Sequence, residues 1–245
     1  MNFSKKITFI VFCITIFIVV VSFVIPAKSK LLIRFNNYAG NVVLNLDSVY
    51  KNQLGQAFTV NNIKYYISNI CLKKTDGKKH SLKEYYLMDE QEETSKQINV
   101  SDIPEGEYNA IEFIVGVDSL HNCSGLQTGA LDPVNGMFWA WNTGYIFLKF
   151  DGKSPLSKSP GNMLEFHIGG YKSPSNCIRK ITLAFKTPLL IGASSNQELN
   201  IKADVLQLFK SPSRIDFSKT SSVTDFHKAT TIADNYAGMF SLIEK

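Results

Sequence analysis

Phe58-Thr59-Val60-Asn61-Asn62-Ile63-Lys64-Tyr65-Tyr66-Ile67-Ser68-Asn69-Ile70-Cys71-Leu72 is the stretch on which the fold turns. Its β-branched and aromatic residues recur at strand spacing. The pattern predicts a pair of strands around Asn61-Asn62, the second with Ile63, Tyr65, Ile67, Asn69 and Cys71 on one face. Asp76-Gly77, just beyond, is a hairpin turn signal, and Tyr85 to Met88 follows as a further strand.

The same grammar extends in both directions. Upstream, Leu31 to Phe35 is apolar, and Val42, Leu44 and Leu46 alternate with polar residues. Downstream, a charged loop (Asp89 to Lys96) leads through Ile98 to Ser101 and the Pro104-Glu105-Gly106 turn to a strong strand, Tyr108 to Val117. Val117 to Gly136 is a long loop rich in Gly, Asn, Ser and Asp, a kind of segment that in compact domains is functional or disordered. Phe138 to Phe150 follows as an aromatic-rich strand, then a polar loop from Asp151 to Asn162. Strands at Met163 to Ile168, Ile178 to Lys186 and Leu199 to Asp204 complete the set. Ile232, Tyr236, Phe240 and Ile243 recur at helical spacing and predict a short terminal helix over Thr230 to Glu244. No amphipathic crossover helix separates the strands, which disfavours a parallel α/β fold. The expectation is an all-β, two-sheet β-sandwich or jelly-roll-like fold with a short C-terminal helix. It forms one domain over residues 30–245.

Residues 1–29 read as a targeting segment. Lys5 and Lys6 precede an uncharged run from Ile7 to Ile25, Pro26 breaks it, and Ala27-Lys28-Ser29 offers small residues for cleavage. The run is also near the ~20 residues that span a bilayer, so signal peptide and uncleaved anchor both stand. Either reading exports the body to the periplasm or beyond, with any membrane attachment through this segment alone. Of the formal charge of +5, three lysines (Lys5, Lys6 and Lys28) belong to the leader. The remainder is small and evenly spread, which argues against a nucleic-acid partner.

Export places Cys71, Cys123 and Cys177 in an oxidising compartment. Cys123 and Cys177 sit in turn-like surroundings and Cys71 in an apolar strand, so the expected disulfide is Cys123–Cys177 with Cys71 a buried free thiol. There is no C-x-x-C, C-x-x-C-H, H-E-x-x-H, G-x-S-x-G or P-loop pattern. Asp118-Ser119-Leu120-His121 is too short a segment for hydrolase geometry. The chain is therefore read as a binding protein without catalytic residues.

Both tryptophans fall in Gly136-Met137-Phe138-Trp139-Ala140-Trp141-Asn142-Thr143-Gly144-Tyr145, between segments bearing His121 and His167. Spacing of two puts Trp139 and Trp141 on one face of a strand. The rings either fill a sandwich core or border a soft-metal or redox-modified site. His167 precedes Gly169-Gly170, whose missing side chains leave room beside the imidazole, and His227 precedes the terminal segment. Imidazole with thioether or aromatic neighbours suits copper(I).

These residues resemble the MbnP-like family of exported copper-binding proteins, relatives of which accompany methanobactin genes and dihaem cytochrome c peroxidases of the MauG type. The resemblance rests on Phe58-Thr59-Val60 through Ile70, Gly116-Val117-Asp118-Ser119, Leu131-Asp132-Pro133, the Met137 to Tyr145 run and Phe166-His167-Ile168-Gly169-Gly170. It implies an all-β fold, copper as the bound metal, and a tryptophan (Trp139 or Trp141) oxidised to kynurenine by a partner peroxidase. By position it points to His121 and His167 as ligands, with Met137 nearby and His227 as a third candidate. The chain departs from the family in reading Leu120-His121-Asn122 where many relatives read Leu-Asn-His, and in carrying Asn36 where some carry histidine. The rival reading is a cell-surface binding or adhesion module whose aromatic face takes a glycan or peptide. A third is a peroxidase substrate for which copper is incidental.

Overall fold

The pattern of the quoted stretch resolves into one strand rather than two. In a computed structural model that describes residues 28–139 and 144–243, with the backbone alone at Phe226 and His227, Ala57–Lys74 is a single strand. Its inward residues are Phe58 and Val60, then Ile63, Tyr65 and Ile67, then Ile70 and Leu72. Each break in the alternation is one residue long and marks a bulge. The ladder to the neighbouring strand shifts at Asn61–Asn62, opposite Asp151–Gly152, and again after Ser68, where Asn69 takes φ 50°. An extra residue flips every following side chain to the other face. That is why Ile70 and Leu72 point inward, where an unbroken alternation would have put Asn69 and Cys71.

Among the described residues the strands form two sheets. The smaller runs Phe240–Leu242, Asn196–Asp204, Lys30–Ala39, Val42–Val43, with Gln97–Ser101 also on Lys30–Ala39. The larger runs Arg179–Ile191, Gly106–Val115, Ala57–Lys74, Gly144–Lys153, Met163–Gly169, Ser222–Val223. Most pairings are antiparallel, but Lys30–Ala39 pairs in parallel with Asn196–Asp204 over nine residues. Leu31, Ile33 and Phe35 alternate inward from the small sheet. Phe35 and Phe113 meet edge-on at 5.4 Å, with Phe240 between them at 6.3 and 5.2 Å. Burial of such rings contributes roughly 1.5–3 kcal/mol each.

The terminal helix lies at Phe226–Tyr236, earlier than the periodicity suggests. Ile232 and Tyr236 are buried on it, but Phe240 belongs to the strand Phe240–Leu242, drawn out of the helical register by the aromatic core it completes. No helix among the described residues is long and apolar enough to cross a membrane; Ile7 to Ile25 lies outside them.

The long segment after Val117 is an ordered cover on the outer face of the large sheet. The Tyr66 hydroxyl donates to the Ala130 carbonyl at 3.0 Å and that of Tyr145 to Leu131 at 2.8 Å. Asn122, in a short helix at Ser119–Cys123, accepts from the Tyr145 N–H and donates to the Val117 carbonyl. These bonds satisfy backbone groups that would otherwise be stranded beneath the loop.

The expected Cys123–Cys177 disulfide is absent: all three cysteines of the described residues are free. Cys123 is exposed, its sulfur 3.1 Å from the Tyr171 hydroxyl, whereas Cys177 is fully buried, its backbone N–H on the Gly170 carbonyl. Turn-like composition does not reveal which way a sulfur points. Cys71 is the buried free thiol expected. Burial pushes the Cys177 thiol up to about 12. A thiol reagent at neutral pH is therefore expected to label Cys123 rapidly in the native protein, and Cys71 and Cys177 only on unfolding. Mass spectrometry of Cys123→Ser checks this: fast labelling that survives the substitution contradicts it.

Candidate functional site

His167 projects from the outer face of Met163–Gly169, opposite inward Leu164, Phe166 and Ile168. Its Nε2 lies 2.6 Å from Oδ1 of Asp151, and the Asn62 amide donates to Oδ2 of Asp151 at 2.9 Å. Three adjacent strands supply the three residues. Burial raises the Asp151 carboxyl, but the hydrogen bonds from His167 and Asn62 outweigh it and hold the group below its ordinary range. Asp151 thus stays ionised at neutral pH.

Trp139 and Gly169 complete the neighbourhood. Gly169 stands two residues after His167, the spacing that returns to the same strand face. A Cβ on Gly169 would meet the six-membered ring of Trp139 at 2.6 Å and the Tyr145 carbonyl at 2.4 Å. The room that the glycine leaves is thus filled by the indole, which lies on the His167 side of the sheet. Trp139 is only 6% exposed, so it offers no open platform for a sugar ring. Met137 is fully buried, its carbonyl accepting from the Ile146 N–H. Trp141 and the His227 side chain lie outside the described residues.

His121 lies in the cover over the same outer face, in the short helix Ser119–Cys123. Asp118 caps its short helix by accepting from the His121 N–H, and Asp118 Oδ1 also lies 3.0 Å from the ring Nδ1. The Tyr85 hydroxyl is 2.8 Å from that nitrogen and also donates to Asp118. Burial raises the Asp118 carboxyl, but these bonds hold it low. Burial, then Asp118, pushes the Tyr85 phenol up.

The sheet register relates the strand of His167 to that of Tyr85, the hydroxyl partner of His121. His167 pairs with Lys149, Lys149 with Lys64 and Lys64 with Asp89, on the strand that carries Tyr85 four residues earlier. The strands that carry His167 and Tyr85 are thus three strand spacings, about 14 Å, apart. The helix that carries His121 reaches back toward the His167 strand: Asn122 Oδ1 accepts from the Tyr145 N–H and the Cys123 sulfur lies 3.1 Å from the Tyr171 hydroxyl, while each imidazole has its own carboxylate. Among the described residues, no three His, Cys, Asp or Glu side chains come close enough together to hold a metal.

Sequence reading missed Asp151, Asn62 and Tyr85. Asp151 sits in Gly144–Lys153, alternating with inward Phe150, and not in a loop. The polar–apolar alternation at Lys149 to Asp151 was the available signal.

What these features define is a class: a two-sheet β protein with imidazole–carboxylate pairs on the covered face of its larger sheet. A family model, MbnP, matches residues 28–227, and the chain belongs to the MbnP family. Among solved structures it is similar to MbnP from Methylosinus trichosporium, at 16% identity and a TM-score of 0.54, over 78% of this chain and 80% of that one. No curated protein matches.

Proposed function

We propose that this is an exported copper-binding protein acting in copper handling, not a catalyst, with residues 30–245 the binding domain. His167 is its principal ligand. The observation that carries this reading is the His167–Asp151 pair beside the buried Trp139 ring. A metal-bound imidazole ordinarily gives its other nitrogen to a carboxylate, which fixes the ring and raises its basicity. His121 repeats that arrangement with Asp118. Met137, fully buried one residue before the Phe138–Trp139 strand, is the candidate thioether donor. Imidazole and thioether donors favour copper(I) over harder ions.

Membership of the family supports copper as the metal. In the same reading, Trp139 or Trp141 is the residue that a MauG-like dihaem cytochrome c peroxidase would oxidise to kynurenine next to the ion. His121 and His227 are the further candidate ligands. Intact-mass analysis of protein from its own host tests the modification.

Titration of the purified protein with copper(I) against a mild chelator tests the binding. Uptake of one ion is expected, with His167→Ala weakening it at least tenfold and His121→Ala less. No uptake, or unchanged uptake by His167→Ala, sinks the proposal.

A further inference from the structure

We propose that Asp151, oriented by Asn62, is the positioning residue of His167: it holds the Nε2 proton of the ring and leaves Nδ1 as the nitrogen offered to copper. This inference rests on the copper-binding reading above.

Three observations carry it. The carboxylate can only accept, so the 2.6 Å contact from Nε2 places the ring proton on that nitrogen. Both side chains are mostly buried, 17% and 19% exposed, so water competes poorly for the bond. The Asn62 amide is turned so that its N–H donates to the other Asp151 oxygen, while its own Oδ1 is buried with no hydrogen-bond partner. A flipped amide would satisfy neither group, because it would set oxygen against carboxylate. The unpartnered oxygen is therefore the cost of aiming the amide at Asp151. The bulge at Asn61–Asn62 is what brings that side chain opposite Asp151.

His121 has the opposite sense. Its engaged nitrogen is Nδ1, on Asp118 and Tyr85, which leaves Nε2 as the nitrogen to offer. The difference matters for where an ion would sit. Nδ1 is bonded directly to Cγ, so a metal on His167 lies close to its own strand, where Gly169 admits the Trp139 ring. A metal on Nε2 would stand a ring's width further out.

The test uses the whole exported protein with ¹⁵N-labelled histidine. Two-bond proton–nitrogen correlations on the metal-free sample are expected to show His167 as a single tautomer with the proton on Nε2. Asp151→Ala is expected to release that preference and to weaken copper(I) binding about 10- to 100-fold. Asn62→Ala should move both readouts in the same direction by less, and serves if Asp151→Ala does not fold. A wild-type His167 protonated on Nδ1, or an Asp151→Ala protein that folds and binds copper(I) as tightly as wild type, overturns the assignment. Wild-type protein that takes up no copper(I) but keeps the Nε2–H ring refutes the metal reading while upholding Asp151 as the group that sets the tautomer.

Discussion

Phe209→Ala is expected to lower the unfolding free energy by about 3–5 kcal/mol. The ring is 1% exposed and meets four others, with centroids at 5.5 Å from Phe58, 5.1 Å from Phe150, 5.3 Å from Phe166 and 5.0 Å from Phe217. Truncation removes the transfer energy of a whole aromatic side chain and leaves a void that rings on a sheet cannot collapse to fill. Three of those rings lie on Ala57–Lys74, Gly144–Lys153 and Met163–Gly169. The same strands carry Asn62, Asp151 and His167 on their opposite faces. A loosened core should therefore also relax the outer network. Denaturant titration reads the effect, and a loss below about 1 kcal/mol would show that the cluster repacks.

Gly169→Ala is expected to be nearly as damaging, for the opposite reason. The new Cβ would lie 2.4 Å from the Tyr145 carbonyl oxygen and 2.6 Å from Trp139, separations that a methyl group cannot adopt. Either the indole leaves its seat or the neighbouring strand moves, at roughly 3 kcal/mol, the upper end of ordinary overpacking. A red shift of tryptophan emission should accompany the loss of stability, because Trp139 is displaced toward water. Gly192→Ala is the control: nothing lies within 4 Å of its Cβ position, so a change within about 0.5 kcal/mol is expected. Equal effects from the two substitutions would show that loss of a glycine, and not the contact with Trp139, is responsible.

Much of the fold could be read from the chain. Strand periodicity located nearly every long strand, and the loop-like composition after Val117 marked the segment that covers the site face. Phase was harder. Alternation shows that a residue is in a strand, but a bulge resets which face it takes, and Asn61–Asn62 and Asn69 announce theirs only through ladder shifts. Phe240 was misplaced into a helix because periodicity cannot see the three-ring contact with Phe35 and Phe113 that claims it. Of the site, His167, Trp139 and the Gly169 gap were visible together.

By itself the chain determined its β character and the residue types suited to a soft metal, since periodicity and ligand chemistry are properties of short windows. Only the tertiary structure decided that the cysteines stay apart, that Asp151 and Asn62 converge on His167, and that His121 has a carboxylate of its own. Those outcomes depend on how strands distant in sequence register against one another, and register is set by the packing of the whole sheet.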